Sequence, residues 1–265
     1  MRRIKALGFI SDGLRIESFI GLTAIFLAAV FVLGMTVTAK AFEDVAVNIE
    51  VNATDGDAGV QIFLDGDPWK RARVKGPNGN TVYSVSARGK LKKFGYTENF
   101  TESNEPNFVE EMTLPEILEF LPEGEYTFDG RTIENEKLEG TAELTHDLPC
   151  GPGGISPALD AVLDPTMPVM ISWDAVVNKI NTDTDEGDCD VTDFDITIIA
   201  YEVIVENEST EDPTEKFTIK VPASVLKVTL PEEFIIPDSE YKFEILAIEE
   251  SGNQTITESF FSTSE

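Results

Sequence analysis

The sequence predicts an all-β protein: two tandem β-sandwich domains behind an N-terminal hydrophobic leader helix. Three observations carry this. Apolar residues alternate with polar ones over short runs, as in Val45, Val47, Ile49 and Val51, which is the period of a half-buried strand. Turn residues such as Gly76-Pro77-Asn78-Gly79 and Ser251-Gly252-Asn253-Gln254 separate the runs, as hairpins require. One strand opening also occurs twice: Pro122, Glu125, Tyr126, Phe128, Ile133 and Glu134 recur as Pro237, Glu240, Tyr241, Phe243, Ile248 and Glu249, offset by 115 residues. That offset is close to the length of a sandwich domain, so the repeat assigns one copy to each half.

The chain opens with Arg2, Arg3, Lys5 and Arg15, followed by 19 uncharged residues from Phe19 to Val37 and then Ala39-Lys40-Ala41. A basic region, an apolar run and a small-x-small site describe an export signal cut before Phe42. The run is also long enough to span a bilayer, so residues 19–37 are alternatively an uncleaved anchor. Either way the rest of the chain is expected to be exported, periplasmic or secreted.

The charge is strongly acidic, with 20 basic against 49 acidic residues and a net charge of −29. Such a surface repels nucleic acid and anionic membrane and favours cations or cationic partners, so membrane contact is expected only through the leader, if it is uncleaved. Cys150 and Cys189 are the two cysteines. In an oxidising compartment an even pair suggests a disulfide. A structural zinc site is not expected, because there is no Cys-x-x-Cys and His146 is the single histidine.

Taken in order, 42–52 reads as a first strand and Val60 to Leu64 as a second, with turns at Asp55-Gly56-Asp57 and Asp65-Gly66-Asp67-Pro68. Arg71 to Val74 and Thr81 to Val85 flank a hairpin turn, and Tyr96 to Glu102 reads as a further strand. Thr113 to Leu121 is the one helical stretch: Thr113 caps it, Pro115 lies in its first turn, Glu116 completes a capping box and Pro122 stops it. Tyr126 then opens the strand of the first repeat copy, and Lys137 to Thr145 completes the first half. A Tyr just after a Pro turn resembles the tyrosine corner of immunoglobulin-like sandwiches, whose hydroxyl bonds back to nearby backbone. The expected division is a leader over 1–41, a first domain over 42–145, a Pro/Gly linker over 146–154 and a second domain over 155–265.

In the second half, Val169-Met-Ile-Ser-Trp173, Ile198-Ile-Ala-Tyr201-Glu-Val-Ile-Val205 and Ile236-Pro-x-x-x-Tyr241-x-Phe-x-x-x-Ala247 follow in order. This resembles a fibronectin type III domain. The resemblance covers about 105 residues and implies that Trp173, Tyr201 and Tyr241 are structural. A long acidic loop between the second and third strands departs from the family, and no Arg-Gly-Asp is present. Asp55-Gly-Asp57, Asp65-Gly-Asp67-Pro-Trp69 and the Tyr126 stretch resemble exported bacterial proteins carrying this pair of domains. That likeness implies an address and an architecture, not an activity.

Candidate chemistry is sparse. The acidic loop places Asp183, Asp185, Asp188 and Asp190 around Gly187, a set of oxygens that would suit calcium. It misses the EF-hand spacing, and a solvated acidic loop is the plainer reading. The Asp55/Asp57 and Asp65/Asp67 turns sit at opposite ends of a short strand and need not converge. Trp69 with Lys70, Arg71 and Arg73, and a second basic cluster at Lys90, Lys92 and Lys93, form a candidate contact face. His146 beside Asp147 in a linker makes a Ser-His-Asp site improbable. The sequons at Asn52, Asn99, Asn207 and Asn253 matter only in a host that glycosylates exported proteins. The expectation is a non-catalytic binding or spacer module contacting protein or glycan at the cell envelope, with no certain cofactor. A calcium-stabilised module and the accessory domains of an envelope hydrolase are the alternatives.

Overall fold

The computed structural model describes residues 39–190, 192–193, 195–210 and 215–265. The expected leader therefore lies outside the described residues except for its last three. Two of those, Lys40 and Ala41, form strand β1 and pair in parallel with Leu138 and Glu139. The first half continues with β2 (Asp44–Asn52), β3 (Asp57–Lys75), β4 (Thr81–Ser86), a 3-10 turn (Gly89–Lys93) and β5 (Tyr96–Glu102), followed by α1 (Leu114–Phe120), β6 (Gly124–Thr132) and β7 (Lys137–Leu144).

The alternation read in β2 buries Val47, Ile49 and Val51. The expected turn at Asp65-Gly66-Asp67-Pro68 is absent, and β3 runs through it for 19 residues. The reason lies on both sides of the strand. Asp44 pairs with Asp65, and the register against β5 slips between Asp65 and Trp69, so the extra residues are taken up as a bulge rather than a reversal. Trp69 is fully buried beyond the bulge, in the core that also holds Leu64 and Val74. The hairpin turn after β3 does form: Gly79 donates its N–H to Gly76 O at 2.9 Å, with Gly79 at φ +78°. In α1 the Glu116 carboxylate accepts the Thr113 N–H at 3.0 Å, and Leu114, Ile117 and Leu118 face the core.

The second half contains β8 (Ala161–Leu163), β9 (Met170–Ser172), β10 (Lys179–Ile180), β11 (Cys189–Asp190), β12 (Ile198–Asn207), β13 (Glu215–Pro222), β14 (Lys227–Thr229), β15 (Glu240–Glu249) and β16 (Gln254–Thr263). Strands β13, β12, β15 and β16 are neighbours in that order, and β9 pairs with β14 separately. Ile171, Trp173, Val228 and Leu230 from the β9/β14 side meet Tyr201, Val203, Phe243 and Phe261 from the other in one buried cluster. This is a sandwich of two sheets with inward residues alternating along each strand.

A second buried cluster lies in the first half, built on Ile49, Leu64, Trp69, Tyr126 and Phe128. One ladder passes through both halves, because β16 pairs in parallel with β2 through Gln254–Glu50, Thr255–Val51 and Ile256–Asn52. The order of the large sheet is β1-β7-β6-β3-β2-β16-β15-β12-β13. The Pro/Gly stretch 146–154 is packed rather than loose: Leu148 and Cys150 are buried, and Ile180 donates its N–H to Leu148 O at 2.8 Å.

Candidate functional site

The junction between the halves gathers most of the polar and reactive side chains. The acidic loop of the second half reaches the first: Ile180 is buried in the first core, and Leu114 at the start of α1 donates its N–H to Asp185 O at 2.9 Å. The Cys150 and Cys189 sulfurs are bonded, joining the connecting stretch to the far end of that loop with Cα atoms 5.4 Å apart. Lys179 closes the same region on Asp147 at 2.8 Å, a contact that raises the lysine pKa. Around these elements lies a cleft of about 530 Å³ lined in part by Asp55, Asn107, Glu186, Asp188 and the disulfide.

Asn253 fastens the seam. Its Oδ1 accepts the Ile49 N–H at 2.9 Å, while Nδ2 donates to Thr145 O at 3.0 Å and Asp147 O at 3.2 Å. Its side chain is buried, as is that of Asn207, so neither sequon presents an acceptor in the folded chain. Two residues on, Thr255 of β16 donates to Pro149 O at 2.6 Å.

Beside this seam the carboxylate oxygens of Glu50, Glu102 and Glu105 lie within 4.8 Å of one another. Glu50 is only 7% exposed. Burial pushes its carboxyl up to about 7; the Gln254 and Gln61 amides oppose that rise, and the Glu102 and Glu105 charges add to it. Gln61 Nε2 donates to Glu50 at 2.9 Å and to Glu102 at 2.9 Å, so one amide holds two carboxylates from different strands. Burial likewise raises Glu105 and Asp57. Among the described residues this is the one group of three such ligands at that spacing.

Asp183, Asp185, Asp188 and Asp190 do not meet it. Asp190 instead accepts from Thr192 Oγ1 at 2.6 Å, and Asp188 donates its N–H to Thr184 Oγ1 at 2.8 Å. Strands β10 and β11 pair with each other at the neck of this loop.

The structural aromatics fall in the cores. Tyr126 donates to Pro122 O at 3.0 Å, while Tyr241 accepts the Ile236 N–H at 2.8 Å and donates to Phe234 O at 3.2 Å. Tyr201 accepts the Val176 N–H at 2.8 Å and meets Trp173 edge-on at 5.3 Å. Burial raises the pKa of all three phenols, favouring the protonated donor.

Trp69 is fully buried and takes no part in a contact face, and Arg73 is held by Asp129 at 2.9 Å. His146 Nε2 is 2.7 Å from Leu121 O, and its neighbour Asp147 is occupied by Lys179. Sequence reasoning missed Glu50, Gln61 and Gln254. Glu50 lies on the outward side of β2 by alternation, and its cover arrives from 204 positions away.

No family model matches this sequence, and no curated protein matches it. Solved structures do show likeness to fibronectin type III segments. The FN1-FN3 domains of chicken CNTN1 align at 10% identity and TM-score 0.33, covering 84% of this chain and 65% of that one. A two-domain fibronectin type III segment of chicken tenascin aligns at 11% identity and TM-score 0.26, covering 82% and 96%. The chain thus spans a little under two thirds of the CNTN1 segment. What stands on the strand order itself is a mostly β chain whose second half is a sandwich of two sheets.

Proposed function

We propose that this chain is an exported, non-catalytic spacer or binding module of the cell envelope, contacting protein or glycan. The observation that carries the reading is the junction. A shared ladder, the Asn253 clamp and the Cys150–Cys189 bridge hold the halves in one arrangement. A spacer needs that, since a module that sets a distance cannot swing on its own linker. The cleft beside the disulfide is the concave polar surface on which a glycan or a cationic peptide segment would rest. A disulfide-closed junction also suits an oxidising compartment.

The test combines fractionation of cells expressing the full chain with capture of partners from envelope extract. Recovery with the envelope and retention of a discrete glycan or protein, weakened by Asp55→Ala with Asp188→Ala in the cleft, supports the proposal. Recovery in the cytosol, or turnover of ester, peptide or glycoside substrates by the purified chain, would overturn it.

A further inference from the structure

The basic cluster at Lys90, Lys92 and Lys93 is not absorbed by the spacer reading. It lies on the 3-10 turn Gly89–Lys93, which buries none of its residues. Leu91 is 49% exposed there, and Phe94, which ends the turn, is 69% exposed. Among the described residues none of Arg88, Lys90, Lys92 or Lys93 forms an ion pair, whereas Lys40, Arg73, Lys75, Lys137, Lys179 and Lys242 all do. In a chain of net charge −29, these four cations fall within six residues beside two exposed apolar side chains, a local basic patch.

The neighbouring backbone enlarges this corner. Ala87 donates its N–H to Lys70 O at 2.8 Å, and Arg71 pairs in register with Ser86 and with Arg131. Lys70 reaches the Asn135 side chain, and Arg131 donates to Asn135 O at 3.2 Å. Lys70 and Arg131 are thus tied to the Thr132–Glu136 turn between β6 and β7, with Arg71 in register beside Arg131. Two acids share that turn. Glu136 is held by Lys40 at 2.7 Å, which leaves Glu134 as the opposing charge.

The Lys40–Glu136 contact also says where the chain enters. Lys40 belongs to β1, three residues after the uncharged run 19–37 ends. The described chain therefore begins at the corner that carries the free cations.

We propose that this corner is a membrane-docking face: Leu91 and Phe94 enter the interfacial region of an anionic phospholipid leaflet, and Arg88, Lys90, Lys92 and Lys93 lie against its headgroups. Exposed apolar tips ringed by lysine stems suit a lipid interface, where the stems snorkel and the rings leave water. A soluble polyanion would use the cations and leave Leu91 and Phe94 wet. A second copy is disfavoured because its acidic loop is already engaged by Leu114 and by the first core. The net negative charge does not forbid the contact, since screening confines it to the groups within about 10 Å of the surface. The inference rests on the envelope location proposed above.

The full chain with Phe94→Trp, reconstituted in vesicles containing bromine-labelled lipid, tests it. The wild-type chain, whose Trp69 and Trp173 are buried, gives the background. In phosphatidylcholine with about a third phosphatidylglycerol, the introduced indole should be quenched to roughly half its intensity or less. Quenching should disappear in pure phosphatidylcholine, at about 1 M salt, and in a Lys90→Gln, Lys92→Gln, Lys93→Gln variant. Each lysine removed should weaken the contact roughly fivefold. An indole that stays unquenched in vesicle-bound chain overturns the inference and leaves the location intact. One that shifts to the blue with protein concentration but without quenching makes the corner a self-contact, and overturns the inference too. Chain that never partitions with vesicles overturns the inference, while the location stands or falls on the fractionation. All the substituted side chains are exposed, so folding is not at stake.

Discussion

Asn253, the residue just before β16, holds Ile49 on β2: the side-chain oxygen accepts the Ile49 N–H at 2.9 Å across 204 positions of sequence. Both groups are buried where two separately cored halves share one ladder. Asn253→Ala leaves that N–H, Thr145 O and Asp147 O without their partner. Leaving buried polar groups unpaired costs about 2–3 kcal/mol here. Denaturant melts should show a lower midpoint, with no change in far-ultraviolet dichroism before the transition.

The disulfide closes a 39-residue separation. On the loop-entropy account, removing it costs about 4 kcal/mol. Cys150→Ser with Cys189→Ser, or reduction of the native chain, should lower the melting temperature. It should also free the loop around Gly187, which packs against Leu114 and Phe108. Faster cleavage within residues 181–189 by limited proteolysis is the matching local readout.

Glu50 gives a pH signature. Its folded pKa, about 7, stands above its ordinary 4.5. The folded chain therefore binds more protons between these values, and the group's contribution falls as pH rises through that window. Below about pH 4.5 no cost is present, and above about 7 it is complete, on the order of 3 kcal/mol. Glu50→Gln keeps an acceptor for Gln61 and Gln254 but carries no charge. The stability difference between variant and native chain should grow in the variant's favour from pH 5 to 8 and then level off. A difference that stays flat would remove this account of the seam.

The tyrosine corners differ in weight. Tyr126→Phe removes one hydrogen bond, to Pro122 O, and should cost about 1 kcal/mol. Tyr241→Phe strips partners from both Ile236 N–H and Phe234 O and should cost about 2 kcal/mol. Stacking of the ring on Phe261 at 4.9 Å survives the second change, so the loss reports the hydroxyl. Chemical denaturation of the two single variants compares them directly.

Local rules reached far into this fold. The alternation of β2, the Thr113–Glu116 box and the Gly79 turn depend on residues within a few positions of one another, where propensity and hydrogen bonding act directly. The two Tyr hydroxyls were legible for the same reason, bonding four to seven residues upstream. The Asp65–Pro68 stretch misled because its turn chemistry is local, whereas the burial of Trp69 that keeps β3 extended is not.

The sequence by itself determined many of the strands and their inward faces, the capped helix, the acid excess and the cations clustered near Lys90. Each of these follows from side-chain type and short-range spacing. Only the tertiary structure decided that β16 lies along β2, that Ile180 completes the other half's core, and that Glu50 is covered by Gln254. The first and last of these join residues 204 positions apart, and Ile180 reaches Leu148 across the packed linker. The free energy that selects them is the burial of surfaces that exist only once both halves have folded, and no single stretch of sequence carries it.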